Sequence, residues 1–227
     1  MNKVYTLLLV LLAALFGGNV YGQTTYTWTG ATGAAWLTAG NWSPTGGPPN
    51  STTHIASFGG SNTATSVGLN TNTQSSTNLA AITFVSGTST ANLAIGNSGT
   101  SGSGGTITFA GTTINSVNNV VLRSTSAYNF TYQNNIVSGS KSLGFVLGNT
   151  TENIIIIDGT GGITISSIIS GSGRNLTKAG SGSGVLTLSG VNTYTGYTKI
   201  TSGELRLNPS ANNSLSGACI FNGGTLA

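Results

Sequence analysis

The sequence predicts an all-β chain, a parallel solenoid in which short strands coil on one another. Two observations exclude the alternatives. Gly, Thr, Ser and Asn fill more than half of the 227 residues, Gly alone counting 35, while charged residues make up 4%. Those residue types form helices poorly, and the Glu, Lys and Arg that coat helix surfaces are missing. Low charge combined with recurrent Ile, Val, Leu and Phe also separates the chain from disordered sequences. A third observation is periodic. From residue 80 onward a hydrophobic-x-hydrophobic triplet, followed by a polar break, recurs as Ile82-Thr83-Phe84, Leu93-Ala94-Ile95, Ile107-Thr108-Phe109, Val120-Val121-Leu122, Phe130-Thr131-Tyr132, Phe145-Val146-Leu147, Ile163-Thr164-Ile165, Leu186-Thr187-Leu188 and Leu205-Arg206-Leu207. Such alternation marks a short strand with one buried face.

The same spacing suits an antiparallel sandwich. The two-residue hairpin signal appears only as Asp158-Gly159 and Asn222-Gly223, too seldom for a meander. In a solenoid each coil lies about 4.8 Å from the last, and Gly and Asn turn the corners. At about 20 residues per coil, the mature chain predicts about ten coils and a rod of about 50 Å.

The elements follow in order. Residues 1–22 read as a signal peptide: Lys3, then an apolar stretch from Val4 to Phe16, then small residues, with Val20 and Gly22 in the cleavage-site positions and Gln23 as the new N-terminus. That stretch is too short for a membrane span of about twenty residues, and no later run is longer. Residues 23–79 are expected to form an N-terminal cap and a first weak coil. They hold Trp28, Trp36 and Trp42, whose large apolar area can plug a solenoid end, and residues 61–79 are nearly all Ser, Thr, Asn and Gly. Residues 80–227 form the solenoid. Within it Ile154-Ile155-Ile156-Ile157 breaks the alternation, so that two of the four face outward, either beneath a covering loop, the favoured reading, or as an exposed patch for an assembly partner. The sequence stops at Phe221–Ala227 in mid-coil, which suggests an incomplete solenoid.

Residues 175–207 carry a longer pattern. Lys178, Gly180, Leu186, Leu188, Gly190, Asn192, Thr193, Tyr194, Thr195, Gly196, Thr198, Ile200, Gly203, Leu205 and Leu207 match, without a gap, the autotransporter-associated β-strand repeat. Tyr197 stands where that family usually has Gly. Trp28-Thr29-Gly30 and Asn41-Trp42 resemble the opening of secreted proteins that bear the repeat. The resemblance implies a right-handed parallel β-helix in an exported passenger of a Gram-negative bacterium, displayed at or released from the cell surface. It also implies outer-membrane export machinery as a partner, and it carries no catalytic residues to transfer.

The chemistry-bearing residues are few. Three acids, Glu152, Asp158 and Glu204, and one His, His54, are dispersed. Glu152 and Asp158 stand about 20 Å apart along one strand, beyond the roughly 5 to 9.5 Å of a glycosidase pair. Gly182-Ser183-Gly184 is no nucleophile elbow. His54 and the lone Cys219 cannot make a zinc site, and Gly99 to Gly105 precede no helix that could hold a phosphate. No catalytic, metal or cofactor site is expected. Seven Lys and Arg, never adjacent, give a net charge of +4 without the density that nucleic acid requires. Tyr194 and Tyr197, like the three Trp, read as packing residues before sugar contacts. The reading is a non-catalytic structural or adhesin-like passenger that meets extracellular glycans or proteins; the alternative is a carbohydrate-binding or polysaccharide-acting β-helix.

Overall fold

Short alternating strands need a shared interior, and parallel stacking provides one. The computed structural model describes residues 22–31, 34–59, 64–69, 76–86, 91–98, 104–135, 142–208, 215 and 217–227. The expected signal peptide, Gly22 excepted, lies outside them. Two strands open the fold, β1 (Thr24–Trp28) and β2 (Trp42–Ser43), with a 3-10 turn at Ala39–Asn41 between them. Four three-faced coils follow. The first holds β3 (His54–Phe58), β4 (Ser66–Leu69) and β5 (Ser76–Leu79); the second β6 (Ala81–Phe84), β7 (Leu93–Asn97) and β8 (Gly105–Phe109). The third adds an antiparallel neighbour, β9 (Thr112–Ile114), to β10 (Val117–Ser124), β11 (Phe130–Asn135) and β12 (Leu143–Leu147). The fourth comprises β13 (Asn153–Ile157), β14 (Ile163–Ile165) and β15 (Ile169–Ser170). Three coils with two strands each among the described residues follow: β16 (Leu176–Ala179) with β17 (Leu186–Leu188), β18 (Thr198–Ile200) with β19 (Glu204–Leu207), and β20 (Cys219–Phe221) with β21 (Thr225–Leu226).

Every coil-to-coil pairing is parallel, and the three faces form separate sheets. The fold is therefore a β-solenoid, and all nine sequence triplets lie in its strands. Inward side chains stack in columns. On the first face Ala56, Ile82, Leu122, Ile155, Lys178 and Ile200 succeed one another in register. On the second face Leu93, Phe130, Ile163, Leu186 and Leu205 do the same. All these apolar members are essentially fully buried. The polar stretch 61–79 supplies β4 and β5, because Val67 and Leu79 are enough to anchor a strand when neighbouring coils complete the core.

The rod is shorter than the sequence estimate. Eight first-face strands stack in parallel, β1, β3, β6, β10, β13, β16, β18 and β20, which spans about 34 Å at about 4.8 Å per step. The excess residues go into wide early coils. Ile82 pairs with Leu122, 40 residues on, and Leu122 with Ile155, 33 on. Lys178 pairs with Ile200 after only 22.

At the N-terminal edge β2 lies antiparallel on β1. Trp28, Trp36 and Trp42 are buried there at 2%, 1% and 1% exposure, over Phe58 of the first coil. Trp42 stands edge-on to Trp28 at 4.9 Å and to Trp36 at 4.7 Å between ring centres, favourable geometry for aromatic quadrupoles. Its indole N–H donates to the Trp36 carbonyl at 2.8 Å. The indole N–H groups of Trp28 and Trp36 have no partner among the described residues, a desolvation cost that the apolar packing offsets.

The isoleucine run resolves as alternation requires. Ile155 and Ile157 enter the core, and Ile156 points outward yet is only 6% exposed. The β9–β10 hairpin accounts for this. Its Ile114 and Val117 share with Ile156 a notch of about 240 Å³, rimmed by Arg123 and Asp158.

Candidate functional site

The two coils spanning residues 176–207 are the tightest complete ones, and three features make them so. The first is close approach at the corners. A side chain on Gly180 would collide with the Ile157 carbonyl, on Gly190 with that of Ser167, and on Gly196 with that of Arg174. Gly180 also adopts φ +113° and Gly203 φ +69°, which favour glycine.

The second feature replaces a strand. After β15 the third face has no further strand among the described residues, and residues 192–196 run beneath Ile169–Arg174 instead. Their backbone remains bonded: Thr193 N–H donates to Ile169 O at 2.8 Å, Thr195 N–H to Gly171 O at 3.3 Å and Gly196 N–H to Arg174 O at 3.0 Å. Side chains add to this. The buried Asn192 amide oxygen accepts from Ile169 N–H at 3.3 Å, and the Thr195 hydroxyl accepts from Gly173 N–H at 2.7 Å. Tyr194, fully buried, fills the interior that a third strand's side chains occupy higher up. Its hydroxyl meets that of buried Thr198 at 2.5 Å. Burial pushes the Tyr194 phenol up to about 12 against the Thr198 hydrogen bond, so the ring stays neutral. Leu186, Leu188, Ile200 and Leu205 complete the core, with Leu207 partly buried against it.

The third feature is a buried cation. Lys178 occupies an inward position between Ile155 and Ile200 and is 0% exposed. Its ammonium donates to Ala179 O at 2.9 Å and Ser202 O at 3.3 Å. Gly203 leaves the room, since a Cβ there would stand 2.9 Å from Nζ. Burial lowers the Lys178 amine to about 8, against the opposing pull of the Asp158 charge.

The family model described as passenger-associated-transport-repeat matches residues 176–207. These residues are that repeat. No curated protein and no solved structure matches the chain. A transport repeat of this kind implies a passenger-associated role, with export to the surface of a Gram-negative cell or secretion, and it points to outer-membrane export machinery. The residues of the sequence motif thus have places in the two coils: the leucines, Ile200 and Lys178 at inward positions of strands, Thr198 at the start of β18, glycines at corners, and Asn192 to Gly196 as the substitute for a third strand.

The lysine of the transport repeat predicts a pH dependence. Below about pH 8 both folded and unfolded chains carry the Lys178 proton, and the folded one bears the cost of burying it. Between about 8 and the unfolded value of 10.5 the folded chain releases that proton first, so stability rises with pH across this window. Urea midpoints at pH 7.5, 8.5 and 9.5 are expected to increase for the natural protein relative to Lys178→Met. Parallel curves for the two would place the charge outside the core.

The remaining titratable groups are engaged singly. Burial pushes the Asp158 carboxyl up, but hydrogen bonds from Arg123 and Ser181 outweigh it and hold the group below its usual value. The Arg123–Asp158 contact is 2.8 Å. Glu152 accepts from the Thr177 hydroxyl, and Glu204 pairs with Arg206 at 2.7 Å. His54 Nδ1 accepts from Asn50 N–H at 3.2 Å, and its ring packs on Tyr26. Among the described residues no three His, Cys, Asp or Glu gather as metal ligands, and no helix is long and apolar enough to cross a membrane.

Proposed function

We propose that this chain is an exported structural passenger, an adhesin-like β-solenoid that acts as a scaffold at or beyond the outer surface of the cell and performs no catalysis. The observation that carries the reading is the transport repeat, set within one apolar core that runs from the first coil to Leu205. Dispersal supports it as well, since each of the three acids is tied to a different neighbour. The tryptophan segment serves as the cap that closes the solenoid core, and residues 1–22 serve as the signal peptide.

The test is expression of the full chain in a Gram-negative host. Mass spectrometry of material outside the inner membrane is expected to find an N-terminus at Gln23, and incubation of that material with pectin, alginate and chitin oligosaccharides is expected to leave them intact. Retention in the cytoplasm with Met1 in place would overturn export. Bond cleavage abolished by replacing Glu152, Asp158 or Glu204 would overturn the structural role.

A further inference from the structure

Along the second face, the middle residue of each triplet points away from the core. Thr131, Thr164, Thr187 and Arg206 occupy equivalent positions in successive coils, paired in register as Thr131 with Thr164, Thr164 with Thr187 and Thr187 with Arg206. They form a straight file with one hydroxyl per step of about 4.8 Å, ending in a guanidinium. The file is one wall of a trough of about 410 Å³ that runs parallel to the solenoid axis. Gly162 and Gly184 line it as well, held close to the neighbouring coils: a Cβ on Gly184 would stand 2.2 Å from the Gly161 carbonyl oxygen, and one on Gly162 3.0 Å from that of Val185.

The polar groups of this trough are open to a ligand. The hydroxyls of Thr131, Thr164 and Thr187 have no hydrogen-bond partner among the described residues, and the same holds for Thr160 and Ser183 in the lining. Asn92 and Asn129 use their amide oxygens to accept from Asn129 N–H and Gly162 N–H, at 2.9 and 2.8 Å. That leaves their NH₂ groups as donors. Hydroxyls that donate and accept, set beside amide donors at a constant repeat, are the complement of another polymer of hydroxyls. An apolar peptide would leave all of them unpaired.

Charge narrows the class. The single ionic group of the lining is Arg206, and Glu204 neutralises it through a 2.7 Å ion pair. An acidic polymer would have to compete with that carboxylate, whereas a neutral one would not.

We propose that the second-face trough binds a neutral linear polysaccharide laid along the solenoid axis, one sugar to each coil, through the Thr131–Thr164–Thr187 hydroxyl file. The site is independent of the export reading: a cytoplasmic chain would retain it, and an exported chain could lack it.

Affinity electrophoresis of the full-length protein provides the test, in native gels cast with soluble β-1,4-glucan or with polygalacturonate. The glucan is expected to retard the natural protein. In Thr131→Val/Thr164→Val/Thr187→Val, which keeps the β-branched shape and removes only the hydroxyls, the apparent affinity is expected to fall at least tenfold. Thr108→Val on the third face is expected to bind as the natural protein does. A circular dichroism spectrum matching the natural one establishes that the triple variant is folded. Were that variant to lose its fold, Thr164→Val alone at the centre of the file is expected to weaken retardation several-fold. Absence of retardation by the glucan, equal retardation of natural and triple-valine proteins, or retardation by polygalacturonate alone would each overturn the proposal.

Discussion

Replacing Tyr194 with alanine is expected to destabilise the protein by about 3–5 kcal/mol, the range for deleting a fully buried aromatic ring. The cause is architectural. In coils that have a third strand, several side chains share the filling of the interior: Phe109, Phe145 and Tyr132 pack together there, with ring centres 4.2 to 6.5 Å apart. In the repeat coil one ring takes their place, so its loss opens a cavity that the short Asn192–Gly196 segment cannot collapse to fill. Tyr194→Phe keeps the ring and leaves the buried Thr198 hydroxyl without its partner, at an expected cost of about 1 kcal/mol. Urea denaturation of the three proteins checks both values. A Tyr194→Ala cost below that of Tyr194→Phe would mean that the hydroxyl pair, not the ring, holds the coil.

Trp42→Ala is expected to have an effect of the same size, about 3–5 kcal/mol, at the opposite end. Trp42 contacts both other tryptophans and Phe58, so its removal uncovers three aromatic neighbours at once and deprives the Trp36 carbonyl of its donor. Because β2 shields β1 from further pairing, loosening it also exposes a strand edge, a template for association. Size-exclusion chromatography alongside thermal melting is expected to show larger species for Trp42→Ala and a monomer-like profile for Trp42→Phe. An unchanged profile for the alanine variant would assign the shielding to other residues.

Much of this architecture was legible in the sequence because one rule, apolar at alternate positions, governs most strands. The rule also exposed its own blind spots. β16 escapes it because Lys178 stands at an inward position, where a charged residue argues against burial; only two backbone carbonyls and a glycine across the coil make the site tolerable. β18 escapes because Thr198 is its inward residue, satisfied by Tyr194. β3 escapes because the strand is buried on both sides from Ile55 to Phe58, the polar Ser57 included, so that alternation is lost. Coil number was misjudged for a different reason, since the spacing of triplets counts faces and the number of residues spent at corners varies from coil to coil. The repeat was readable as a segment, matched over residues 176–207, but its logic was not: nothing in the letters says that a tyrosine stands in for a strand. The hydroxyl file lay in plain view, in the middle letter of triplets noticed for their outer two.

The constant register of the later coils bears on how such a protein can grow. Leu176 meets Thr198 in the same way that Thr198 meets Cys219, so each turn offers its successor an edge of the same kind. A tandem duplication of one 22-residue unit would therefore insert as a whole layer, lengthening the molecule by about 4.8 Å while leaving the turns above and below with the neighbours they had. Reach becomes a matter of copy number, which replication errors in a repetitive gene can change without inventing a new contact.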